Sequence, residues 1–141
     1  MGYTHHWHEH DIPTETWALI CADANKLTEA TPVALAEDDD GSGLPPVINH
    51  LRNGEIRFNG SNGLGYETFR LLQNSGRDYC KTGERPYDAV VCAVLAVAKE
   101  HHPALFVSSD GSHLDWQPHL DWASEVLGRR VPLPIPGPKP G

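Results

Sequence analysis

The chain has 141 residues and a formal net charge of −8, from 11 Lys and Arg against 19 Asp and Glu. This length fits one domain able to bury a core unaided, and the acidic balance argues against binding long nucleic acid, which needs a basic stripe to displace counterions. The most apolar run, Ala89–Ala98, is half the ~20 residues of a membrane span, and three cysteines without paired spacing argue against a disulfide framework or a Cys-x-x-Cys zinc site.

The first segment, "GYTHHWHEH", carries Tyr3, Thr4 and Trp7 and predicts a strand over 2–9. It has no apolar core of a signal peptide, so with reduced cysteines the expected setting is the cytosol. Alternation puts His6, His8 and His10 on one strand face and His5 on the other. Histidines on one face can hold zinc, but no carboxylate or cysteine pattern completes a set, and no metal or cofactor is expected.

Pro13 and Glu15 suit a first helical turn. Trp17, Ile20, Ala24 and Leu27 recur at spacings of three and four, which predicts an amphipathic helix over 13–30. "AEDDDGSGLPP" reads as a polar loop. Its Asp38, Asp40, Ser42 and Gly43 echo a calcium loop, but Asn49 stands where the bidentate Glu belongs and Pro45–Pro46 interrupt it.

Asn53-Gly54 predicts a tight hairpin turn, with Val47, Ile48, Ile56 and Phe58 on paired strands. Alternation then sends Arg57 and Asn59 to the face opposite Ile56 and Phe58. Gly60, Gly63 and Gly65 form a G-x-x-G-x-G loop, which is not a dinucleotide fingerprint. Residues 65–72 predict a third strand, and "NSGRDYCKTGERP" reads as loop.

Pro86 is expected to open a buried helix over 86–101 that stops before Pro103. "ALFVSSDG" reads as a short strand whose Ser108, Ser109 and Asp110 enter a turn. Pro118 is placed to open a last helix, and Gly128 to end it. The tail 131–141 holds five of the 12 prolines and is expected to be extended or disordered, outside a single domain over 1–130. The fold class is therefore α+β: a mostly antiparallel sheet of about five strands with two or three helices, one of them buried.

The stretch "YCKTGERPYD", 79–88, carries the functional expectation. It is not a Walker A motif, because Ser75 and Cys80 occupy the required glycine positions. Lys81, Thr82 and Arg85 can still donate to an anion, next to the positive end of a helix. Arg57, Asn59, Glu67 and Tyr87 are expected to complete the pocket, with Glu67 orienting Arg57 or holding a ribose hydroxyl. Cys80 beside Lys81 is a candidate nucleophile, whereas Cys92 reads as core. No paired-carboxylate or Ser-His-Asp motif stands out, so a binding protein is favoured over a hydrolase or transferase acting on a nucleotide-like molecule, and over a protein-binding inhibitor. Homo-oligomerisation is left open.

"GYTHHW", "RFNG…ETF", "CKTGERPYD" and "SSDG", in this order, resemble a family of small phage, prophage and bacterial proteins to which no reaction attaches. That family typically shows G-Y-T-H-Y-W, H-E-T-F and F-C-K-T-x-x-x-P-Y-D. This chain differs in having His6, Tyr66 and Tyr79 at the usual Tyr, His and Phe positions. The resemblance implies a phage setting, where a short cytosolic protein can act as a counter-defence sponge for a host nucleotide signal.

Overall fold

The computed structural model describes residues 3–8, 11–38, 43–51, 53–74 and 76–137. Its strands and helices, in chain order, are β1 (Thr4–His8), α1 (Thr14–Ala30), β2 (Leu35–Ala36), β3 (Val47–Asn49), β4 (Glu55–Gly60), β5 (Phe69–Leu72), β6 (Arg77–Lys81), α2 (Asp88–His101), β7 (Phe106–Ser109) and α3 (His113–Leu127). The fold is α+β, and every strand pairing is antiparallel.

One sheet has the order β6-β1-β7. Its register sets His5 opposite both Cys80 and Ser109. Directly paired residues share a sheet face, so His5, Cys80 and Ser109 point the same way. The second sheet is built on β4, which pairs with β2, β3 and β5. The backbone before β5 links the sheets: Glu67 N donates to Lys81 O at 3.1 Å, and Glu67 Oε1 accepts from Lys81 N at 2.7 Å.

Helix α2 packs against α1, α3 and β7. Val90 through Ala98 are all buried, which explains why its sequence is apolar on every side. Helix α1 buries the expected stripe of Trp17, Ile20, Ala24 and Leu27. Among the described residues, no helix is long and apolar enough to cross a membrane.

Four local expectations are corrected. Residues 77–81 form β6 rather than loop, because their backbone pairs with β1 along its whole length. The β3–β4 connection is longer than a two-residue turn: Asn49 pairs with Glu55, and Asn53 takes the left-handed conformation at φ 55°. Pro118 lies inside α3; the helix starts earlier, where Ser112 Oγ accepts from Leu114 N and Asp115 accepts from Ser112 N, a reciprocal cap. Gly128 ends α3 at φ 69°, as expected.

The fourth correction concerns the tail. Val131 and Ile135 are buried in the core cluster, and Val131 N donates to Ser124 Oγ at 3.0 Å. The packed unit therefore runs past residue 130. Residues 138–141 lie outside the described residues.

Candidate functional site

The expected pocket residues have different fates. Arg57 donates to Glu55 at 2.7 Å and to Glu37 at 3.4 Å. Glu55 also holds Arg70 at 2.8 Å, so this face of the second sheet is internally neutralised. Asn59 is buried. Its amide donates to Tyr66 O and Thr68 Oγ1, and its carbonyl accepts from Gly60 N and Tyr66 N. All its capacity goes to holding the glycine-rich loop, so it offers a ligand nothing.

Thr82 and Tyr87 are also fully buried and committed: Thr82 Oγ1 donates to Asp88 Oδ1 at 2.6 Å, and Tyr87 Oη donates to Glu67 O at 2.5 Å. Lys81 sits with its ammonium 5.4 Å from the Tyr66 ring centroid. Glu67, Lys81, Thr82 and Tyr87 are thus brought together, but chiefly to join β6, α2 and the segment before β5. The N-terminus of α2 is not an open anion site either. The N–H groups of Asp88, Ala89 and Val90 bond to the carbonyls of Arg85, Pro86 and Tyr87.

Cys80 does not suit nucleophilic work. It is fully buried, and burial pushes its thiol up to about 12. His6 is exposed and His8 half-buried on the outer face of the first sheet, while His10 lies outside the described residues. Asp40 and Ser42 of the calcium-like loop also lie outside them, while Asp38 accepts from Thr68 Oγ1 at 2.8 Å.

A different constellation forms where three of the quoted motifs meet. "GYTH" supplies Tyr3 and His5, "CKTGERPYD" supplies Thr82, Arg85 and Asp88, and "SSDG" supplies Ser109 and Gly111. His5 is fully buried. Its Nδ1 lies 2.8 Å from Ser109 Oγ and its Nε2 lies 2.6 Å from Asp88 Oδ1. The edges of Tyr3 and Trp116 clamp its ring, at centroid distances of 5.2 and 5.1 Å. A side chain at position 111 would collide with the Tyr3 hydroxyl, so only glycine allows that phenol to lie across the turn.

Hydrogen-bond counting assigns the protons. Ser109 Oγ accepts from Trp116 Nε1 at 3.0 Å and from Gly111 N at 2.9 Å. A hydroxyl has two acceptor positions and one proton, so the Ser109 O–H donates to His5 Nδ1, and His5 Nε2–H donates to Asp88. Burial pushes the Asp88 carboxyl up, but hydrogen bonds from His5 and Thr82 outweigh it, and the group ends below the ordinary carboxylate value.

Cys92 Sγ lies 3.6 Å from His5 Nε2 and 3.7 Å from Asp88 Oδ2, so His5, Asp88 and Cys92 are grouped closely enough to hold a metal. The proton count opposes this, because the nitrogen that would ligate carries the proton given to Asp88. A second group, Asp23, Glu100 and His101, already has a cation: Arg129 Nη2 lies 2.6 Å from Asp23 and 2.7 Å from Glu100.

Outside this buried chain lies a cleft of about 260 Å³ lined by residues that include Tyr3, Glu84, Arg85, Asp88, Asp115 and His119. Arg85 is exposed at it, without a side-chain hydrogen bond or ion pair among the described residues. His119 Nε2 stands 3.7 Å from Asp88 Oδ2, with a side chain 28% exposed. Burial draws the His119 imidazole below its usual value, partly offset by the Asp88 charge. Compared with models of protein families, with curated proteins and with solved structures, the chain matches none.

Proposed function

We propose that the protein binds a small phosphate-bearing, nucleotide-like molecule in the cleft between Tyr3, Arg85 and His119. The observation that carries this reading is the Arg85 guanidinium, unpaired among the described residues, sharing a cleft with a half-buried histidine. A guanidinium offers a planar fork that matches phosphate oxygens. The carboxylates of Glu84 and Asp115 beside it suit hydroxyl or amino groups, which a nucleotide carries and inorganic phosphate does not. Tyr3 adds a phenol that burial keeps protonated, a donor rather than an anion.

The resemblance to phage proteins supports a host nucleotide signal as the ligand and sequestration as the role. The test is mass spectrometry of small molecules released from the heat-denatured protein, followed by calorimetry with AMP, ADP-ribose and cyclic dinucleotides. A bound nucleotide whose affinity falls about tenfold or more in Arg85→Ala supports the reading, since a hydrogen bond to a charged group is worth about 1.5–3 kcal/mol. No released molecule and no binding across the panel defeats it.

A further inference from the structure

We propose that this cleft is hydrolytic, with His119 as general base and Asp88 as the positioning residue behind it, and that the bond it cleaves is a phosphodiester. The proposal rests on the reading of the cleft as a phosphate site and replaces sequestration there with turnover of the bound molecule.

Ser109 cannot be the nucleophile, although Ser109, His5 and Asp88 are connected as in a hydrolytic triad. Both of its lone pairs are capped by Trp116 and Gly111, so no electron pair faces a substrate. The proton of Ser109 passes to His5, and that of His5 to Asp88 Oδ1, which Thr82 also occupies. Only Asp88 Oδ2 keeps spare capacity. Its buried neighbour is the weak Cys92 donor at 3.7 Å, and its cleft-side neighbour is His119 Nε2, also at 3.7 Å. The buried network therefore fixes an ionised carboxylate and turns its one open position toward a cleft histidine.

That arrangement defines the role of His119. His119 Nε2 stands 3.7 Å from Asp88 Oδ2, and a shift of about 1 Å would close that gap to a hydrogen bond. With Nε2–H directed at Asp88, Nδ1 is the ring's proton acceptor. Burial favours the unprotonated imidazole, and the Asp88 charge partly offsets it. The charged and titratable groups around it are Asp88 on α2, His5 on β1, Asp115 on its own helix, Glu84 and Arg85 on the loop before α2, and Tyr3.

The same inventory selects the substrate class. One guanidinium shares the cleft with the carboxylates of Glu84, Asp88 and Asp115. A phosphodiester carries a single negative charge, which one guanidinium can match. A dianionic monoester would add a second charge against the carboxylates. In the reaction, His119 Nδ1 takes a proton from water, the water oxygen bonds to phosphorus, and the bond from phosphorus to the leaving oxygen breaks. The leaving oxygen recovers the proton from the imidazolium. Diester and water give monoester and alcohol, with no oxidant or further reactant.

The test uses bis(p-nitrophenyl) phosphate, with p-nitrophenyl phosphate as the monoester comparator. The wild type should release p-nitrophenolate from the diester and act far more slowly on the monoester. Its rate should rise with pH and then level off as a single histidine loses its proton. His119→Gln should lose about 100-fold or more with an unchanged melting temperature. Release no faster than buffer alone, or full activity in His119→Gln, overturns the proposal, as does a flat pH profile. Calorimetry with the same diester separates the two levels. Arg85-dependent binding without cleavage defeats hydrolysis alone. Absence of binding by both the diester and the nucleotide panel defeats the phosphate site as well.

Discussion

His5 and Asp88, 83 residues apart in the chain, meet at 2.6 Å with side chains 0% and 7% exposed. This contact ties β1 to α2, and through Ser109 to β7 and α3. Removing one partner of a buried, hydrogen-bonded pair leaves the other without compensation and typically costs about 3–5 kcal/mol. His5→Ala should therefore lower unfolding stability by about that much in a denaturant titration. Thr82→Val, which removes one donor to the same carboxylate, should cost about 1–3 kcal/mol. A His5→Ala variant as stable as the wild type would show that the network is dispensable to the fold.

Acid should destabilise the protein through identifiable carboxylates. For Asp23, burial raises the carboxyl, but hydrogen bonds from Arg129 and His101 prevail and the group lies below its ordinary value. Asp88 is lowered as well. A carboxyl with a depressed folded value contributes stability that is present above its unfolded value of about 3.9 and is lost as pH falls through the folded value. The melting temperature should thus begin to decline below about pH 6.5, where the unfolded chain takes up a proton that burial denies His119, and fall steeply below about pH 4. Asp23→Asn should flatten that fall, and an unaltered acid slope would assign it to other groups.

The elements that depend on local pattern were legible in the sequence. The spacing of Trp17, Ile20, Ala24 and Leu27 marks α1, and the unbroken run after Ala89 marks α2. β6 was not legible, because Arg77, Asp78, Tyr79 and Lys81 lack the alternation of a half-buried strand; of its five residues only Cys80 is buried. Its strand character comes from pairing with β1. Asn59 and Thr82 looked like free polar groups because the sequence does not reveal which backbone groups they must satisfy. His5, Asp88 and Ser109 could be joined only by the fold, since their spacing is set by sheet register. The usable signal was that each lies inside a separate quoted motif.

The three cysteines give a direct check on burial. Burial pushes Cys21 and Cys80 up to about 12, and Cys92 well above its ordinary value. A thiol attacks as its thiolate, so a colorimetric thiol reagent at pH 8 should label none of the three in the native protein within minutes. It should label all three after denaturation. Rapid native labelling of Cys80 would return it to consideration as a nucleophile.

The start of the proline-rich tail should contribute to stability. Val131 is 3% and Ile135 8% exposed, and fully burying such side chains is worth about 1.5–3 kcal/mol each. Truncation after Arg130 should therefore lower stability by about 3–6 kcal/mol. Val131→Ala and Ile135→Ala should each reproduce part of the loss. A truncated protein with an unchanged melting temperature would show that these contacts are not maintained in solution.

The two arginines once expected to share a pocket should now behave differently. Arg57 is held by Glu55 and Glu37 on the second sheet, with its side chain 28% exposed. Partly exposed ion pairs contribute about 0.2–1 kcal/mol, so Arg57→Ala should be slightly less stable and bind ligand as the wild type does. Arg85 has no such partners and faces the Tyr3–His119 cleft. Arg85→Ala should keep the wild-type melting temperature and weaken nucleotide binding about tenfold or more. Arg85→Lys should recover only part of that, because an ammonium cannot supply the paired donors of a guanidinium. Calorimetry on the three variants alongside the wild type decides the matter. If Arg57→Ala loses binding while Arg85→Ala keeps it, the ligand site lies on the second sheet and the cleft assignment is wrong.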